Sequence, residues 1–216
     1  MKVLLIGAGG HGQVVADVLF AMQANEKSVA PIGFLDDNTD LHGQSFLDLP
    51  VLGPVHQWQS WNSDALLLGI GDNQRRSQLV MQLQAQGARF FTAIHPSAVL
   101  GSYVEIGPGT VICGNVVVNT GSRIGSHVIL NTACSVDHHN RLADYVHIAP
   151  GARLGGDVTV GEGALVGIGA IVLPQRNVGA WSLVGGGAVL LRDLPERHVA
   201  IGNPAKALPR RQFENR

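Results

Sequence analysis

The chain has 216 residues, a formal net charge of −1 and no block of like charge, which leaves room for one large domain or two small ones and excludes a surface built for nucleic acid. Two cysteines exclude a disulfide framework and fit a reducing compartment. The longest apolar run, 164–173, is half a membrane span, and the start matches a signal peptide for six residues only, so the composition predicts a soluble cytoplasmic protein with no membrane partner.

Lys2–Ile6 is a short apolar run that reads as a buried parallel strand. Gly7-Ala8-Gly9-Gly10-His11-Gly12 follows, and residues 13–24 place Val14, Val15, Val18, Leu19 and Met22 at helical spacing. Gly7, Gly9 and Gly12 satisfy G-x-G-x-x-G, and a second strand over 32–35 ends at Asp36-Asp37. Strand, glycine turn, helix and acid make a dinucleotide fingerprint. Any nucleotide phosphate could use the same helix N-terminus, and a tight turn with no ligand is the plain alternative.

Residues 38–63 read as irregular, with a short edge strand at Val51-Leu52 and with Trp58 and Trp61 packing on a short helix. Residues 65–70 form a third buried strand. Gly71-Asp72-Asn73 caps a helix over 74–86, and 89–93 is a fourth strand. Residues 1–93 thus form a small α/β, Rossmann-like domain, too short for a complete dinucleotide fold.

From residue 94 the pattern changes. In sixteen consecutive frames of six the first residue is aliphatic, from Ile94 through Val136 to Val184. The fifth is mostly small or modest, as at Ala98, Thr110, Ser122, Cys134, Ala152 and Ala188. Such a short fixed period marks a solenoid, and it does not match helical spacing. The aliphatic residue points inward, the fifth fills the corner, and three strands close an eighteen-residue triangular coil. Five coils account for most of 94–188, and the tail from 189, with Gly202-Asn203-Pro204-Ala205-Lys206, covers the last. Cys113 and Cys134 read as core thiols.

His42, His56, His127 and His198 read as solvated. His138 and His139 adjoin Asp137 at a turn, and His147 ends the following frame. Solvated turn histidines are the bland reading. Separations of one, eight and nine residues lack the spacing of a three-histidine zinc site, so no metal is expected.

The repeat resembles the hexapeptide, left-handed parallel β-helix of acyltransferases, an exception to the right-handed rule. Gly-Ala-Gly-Gly-His-Gly at 7–12, Phe-Leu-Asp-Asp at 34–37, Ile-Gly-Asp-Asn at 70–73, the solenoid and the closing Gly-x-Pro-Ala-Lys occur together in order. That combination resembles the bacterial sugar acetyltransferases that include the bacillosamine-pathway UDP-amino-sugar N-acetyltransferase and the sialic acid O-acetyltransferase. The resemblance implies acetyl-CoA as co-substrate and a homotrimer with sites between solenoids. It implies a UDP-, GDP- or TDP-linked amino sugar held by the N-terminal domain, acetylated for surface glycan synthesis.

Residue by residue, it puts the general base on His138 and an active-site amide on Asn131. His147 falls at the thioester end, and Gly156, Ile168 and Gly186 fall along the pantetheine groove. Gly9, Gly10, His11, Asp36, Asp37 and Gly71 fall on the nucleotide-sugar contacts. His139 stands where the family pattern has glutamate, directly beside the base. Rival readings are a sialic acid or other sugar O-acetyltransferase, an NAD-binding oxidoreductase or sensor, and a scaffold without catalysis.

Overall fold

The computed structural model describes residues 1–26 and 29–209. The chain divides into two units, Met1–Pro96 and Ser97–Arg216.

In the first unit β1 (Lys2–Ile6) is an inner strand of a five-stranded sheet. The others are β2 (Ala30–Leu35), β3 (Ser45–Phe46), β4 (Leu49–Gly53) and β5 (Ala65–Leu68), in the order β3-β4-β2-β1-β5. Val3 to Ile6 and Ala65 to Leu68 are buried on both faces, as continuous apolar runs require. Helices α1 (Gly10–Glu26) and α2 (Asn73–Ala85) follow β1 and β5.

Helix α1 begins at Gly10, three residues before the expected start at 13, with glycine inside its first turn. Packing explains this: a Cβ at Gly12 would overlap the Gly7 carbonyl oxygen, and one at Gly69 would overlap the Gly12 backbone. Close approach of helix and strand offsets the ~1 kcal/mol that glycine costs in a helix.

Two expectations need correction. The stretch expected to be irregular contains the β3–β4 hairpin, whose turn residues Leu47 and Asp48 both take positive φ; no Asn-Gly marks it. The expected fourth strand at 89–93 reduces to a single bridge between Phe90 and Leu66, followed by a separate short strand, Ala93–Ile94.

The second unit is a three-sided parallel β-helix. Two-residue strands stack with partners eighteen residues apart throughout, as in Val117↔Ser135, Arg123↔Arg141 and Ile129↔His147. Val99–Leu100 to Val189–Leu190 make the first face, Glu105–Ile106 to Asn177–Val178 the second, and Val111–Ile112 to Leu183–Val184 the third. The repeat therefore runs one strand beyond its expected end. The third face continues into a hairpin of His198–Ile201 and Lys206–Pro209.

First-position aliphatics from Ile112 to Val184 and fifth-position residues such as Val116, Cys134 and Ala152 are buried. The fourth position of every frame from Tyr103 to Gly187 has positive φ, including nine non-glycine residues. Each such residue costs about 1–3 kcal/mol. Burial of each inward aliphatic gives about 1.5–3 kcal/mol, and each coil buries several, so packing prevails.

Two histidines depart from expectation. His127 is buried, with its ring stacked on Tyr145 at 5.6 Å and 10° and lying over Gly109. Glycine one coil below leaves space for the ring, and Tyr145 one coil above covers it. Likewise His42 is partly buried, its Nε2 2.8 Å from the Asp36 carbonyl oxygen. Cys113 and Cys134 are core thiols, and burial pushes them up to about 11 and about 12.

Candidate active site

Residues 138–139 turn the chain from the first face to the second, on what we call the first edge of the prism. Asp137 starts the turn. Its Oδ1 accepts the backbone N–H of His138 at 2.8 Å and the Asn119 amide at 2.7 Å. The Asn119 hydrogen bond, then the His138 N–H, hold its carboxyl below the usual range. Asp137 thus anchors the backbone of His138, while the His138 ring turns to its neighbour: His138 Nδ1 lies 3.1 Å from His139 Nδ1.

His139 has φ 57° and lies over Gly121, where a Cβ would come within 2.8 Å of the ring. His138 leans the other way, its Cε1–Nε2 edge against Gly156, where any Cβ would overlap the ring. Gly156 has a permissive backbone, so the His138 ring is the reason glycine is needed there.

Behind the turn is a residue that the sequence reading passed over. Asn140 occupies an inward fifth position and is fully buried. Its Nδ2 donates to the carbonyls of Asp137 (2.6 Å) and Gly155 (2.9 Å), and its Oδ1 accepts the Val158 N–H (3.1 Å). Ser122 Oγ donates to the Asp137 carbonyl at 2.8 Å. Every polar group of the Asn140 side chain is used, and three coils are joined beneath the histidines. The signal was present: asparagine among small and aliphatic residues at that frame position.

The other expected solenoid residues lie elsewhere. Asn131 Nδ2 is 3.2 Å from His147 Nε2, on the third face, and Ile168 and Gly186 stack on the edge where that face ends, joined by the Gly187 N–H to the Ile168 carbonyl (2.8 Å). Ile168 is 67% exposed. Asn131, His147, Ile168 and Gly186 therefore gather along the third edge, whereas His138, His139 and Gly156 gather on the first.

In the first unit, the chain leaves β1 toward β2 on one side and later returns to β5 on the other. A crevice at the carboxyl ends of β1 and β5 is where such sheets bind ligands. Gly9, Gly10 and Gly71 lie there with ordinary φ and nothing within 4 Å of an added Cβ. The fold itself does not require glycine at these three positions.

Asp36 shapes the loop, since its Oδ2 accepts the Ala8 N–H and its Oδ1 the Asn38 N–H, both at 2.8 Å. Asp37 accepts the Val55 N–H at 3.0 Å and pairs with exposed Arg75 at 3.4 Å. His11 sits in the first turn of α1, held down to about 4 by burial and then by Arg76. The buried Arg76 guanidinium donates to the Ile70 carbonyl at 2.9 Å and to Asn73 Oδ1 at 2.8 Å.

Comparison with known proteins completes the picture. Residues 2–83 match the PglD N-terminal domain family. A perosamine N-acetyltransferase from Caulobacter crescentus, solved with CoA and GDP-perosamine as a variant of one histidine, is 37% identical. That match covers 96% of this chain and 97% of that one, with a TM-score of 0.88. The acetyltransferase domain of PglB from Neisseria gonorrhoeae is 38% identical over 96% of this chain and 99% of its own, with a TM-score of 0.89. A Schizosaccharomyces pombe protein named for acetyltransferase activity is 47% identical over 49 residues, only 23% of this chain and 23% of that protein.

These matches identify the solenoid as the left-handed parallel β-helix. Among the described residues no helix is long and apolar enough to cross a membrane. The chain belongs to the hexapeptide-repeat sugar acetyltransferase family and is a sugar N-acetyltransferase.

Proposed function

We propose that this enzyme transfers the acetyl group of acetyl-CoA to the amino group of a sugar linked to a nucleoside diphosphate, for surface glycan synthesis in the cytoplasm. The observation that carries the mechanism is the exposed His138–His139 pair, with Nδ1 atoms 3.1 Å apart. In such a contact one ring donates and the other accepts. When His138 donates, its Nε2 keeps a lone pair for the incoming amine. His139 then serves as a neutral acceptor where the family pattern has a carboxylate.

The amine nitrogen bonds to the thioester carbon, its proton passes to His138 Nε2, and the carbonyl pair moves onto oxygen. Collapse of the tetrahedral oxyanion breaks the C–S bond, and the departing thiolate takes the proton. At the thioester end, the Asn131 amide donates to His147 Nε2 and so fixes the proton of a neutral His147 on Nδ1. His147 with Asn131 is the pair that meets the thioester oxygen.

The proposed base and the proposed thioester contacts occupy different edges of one prism. A second copy, presenting its third edge to the first edge of its neighbour, supplies what one copy lacks. We therefore expect a homotrimer in sedimentation equilibrium. A stable, fully active monomer would remove the shared-site arrangement.

The nucleotide reading rests on Gly9, Gly10 and Gly71, whose missing side chains leave the first turn of α1 open to a pyrophosphate. A thermal-shift series with UDP, GDP, TDP and NAD is the test. One nucleoside diphosphate at ~100 times its Kd should stabilise the protein by about 2.7 kcal/mol. Gly9→Val should abolish the shift while leaving the melting temperature of the free protein in place. Response to NAD alone would overturn the assignment of a nucleoside-diphosphate sugar to the first unit. Acetylation of free sugars in preference to nucleotide-linked amino sugars would overturn the choice of acceptor.

A further inference from the structure

The histidine pair has a neighbour on the next coil that acetyl transfer does not use. Asp157 stacks one coil from His139 on the first edge. A carboxylate oxygen of Asp157 and a ring nitrogen of each histidine all lie within 4.8 Å of one another, with all three side chains exposed. The geometry points to a divalent transition-metal site at His138, His139 and Asp157, best suited to Zn2+, whose occupation switches the enzyme off. This regulatory role rests on the assignment of His138 as the base; the metal site itself does not.

The distances favour it. Tetrahedral zinc with ligands at 2.0–2.1 Å holds neighbouring ligand atoms about 3.3 Å apart. The two Nδ1 atoms are already 3.1 Å apart, close to that spacing, so a metal can replace the shared hydrogen bond once the two rings turn their Nδ1 lone pairs toward it. Each ring is fixed from one side, His138 by Gly156 and His139 by Gly121. Asp157 is exposed, and its carboxylate oxygen, within 4.8 Å of a ring nitrogen of each histidine, is the third ligand, which leaves the fourth position to water. Two imidazoles and one carboxylate select zinc, copper or nickel over magnesium or calcium.

The consequence follows from the tautomer. Zinc on both Nδ1 atoms requires each neutral ring to carry its proton on Nε2. His138 then has no lone pair for the amine. The proton moves through solvent from Nδ1 to Nε2, and nothing is oxidised or consumed. Inhibition is therefore reversible by a chelator.

The test uses the full-length protein, titrated with Zn2+ in competition with a chromophoric zinc indicator, alongside assays of acetyl transfer. Asp157→Asn and His139→Asn are the variants, because asparagine tolerates the positive φ of both positions. One Zn2+ should bind per chain, with Mg2+ ineffective. Each variant should weaken binding by ~10-fold or more. Asp157→Asn, outside the transfer chemistry, should keep its turnover and lose its sensitivity to Zn2+. Equal Zn2+ affinity in wild type and both variants overturns the site. Tight, Asp157-dependent binding without inhibition keeps the site, overturns the switch and removes His138 as the base.

Discussion

Replacing His138 by alanine should lower kcat by ~10²- to 10⁴-fold, the usual range for a general base, with acetyl-CoA affinity nearly unchanged. The affinity should survive because the other expected CoA contacts, His147, Ile168 and Gly186, gather on a different edge. Gly156→Ala provides a second route to the same defect. Its backbone accepts alanine, but the new methyl overlaps the His138 ring and must push it away from its position. The variant should fold and lose much of its kcat, and any accompanying loss of acetyl-CoA affinity would report the pantetheine contact expected at Gly156. Steady-state kinetics on both variants, with CoA affinity measured separately by calorimetry, decide the matter. Near wild-type turnover in His138→Ala would sink the assignment of the base. Full turnover in Gly156→Ala with intact His138 would show that ring placement is less critical than the packing implies.

The first unit should lose stability as pH falls, in a window set by His11. Burial and the adjacent Arg76 guanidinium lower the pKa of His11 from 6.5 in the unfolded chain to about 4 in the fold. Between those values the unfolded chain binds the proton and the folded one does not. Stability is therefore fully present above pH 6.5 and declines toward pH 4, by up to about 3 kcal/mol. Trp58 and Trp61 lie in the first unit and Trp181 in the second. A Trp181→Phe background thus lets tryptophan fluorescence report on the first unit alone during urea unfolding. His11→Asn in that background should flatten the decline across this window. An unchanged pH dependence in His11→Asn would place the proton linkage elsewhere. Arg76→Leu should shrink the decline in part, since burial is the larger cause and the guanidinium the smaller.

The solenoid was legible because its rule is local and repeated. An aliphatic residue every six positions can be buried only if the chain bends every six, so Ile112, Leu130 and Ile148 specify one column of the core without knowledge of anything distant. The strand–glycine–helix opening was legible for a similar reason, since Gly12 permits a contact that no other residue allows. Local rules failed where the neighbour lies a coil away or across the sheet. His127 looked like a solvated turn residue, and only Gly109 below and Tyr145 above make it a buried one. The β3–β4 hairpin escaped notice because Leu47 and Asp48 adopt turn conformations that their sequence does not advertise. The sequence by itself determined the repeat and its eighteen-residue coil, and its resemblance to a known family supplied the residues proposed to carry acetyl transfer. Tertiary structure alone decided which of them meet. His138 and His139 face each other because glycines one coil away in each direction leave space for their rings. Asn131 and His147, sixteen residues apart, touch because one turn of the prism brings them side by side.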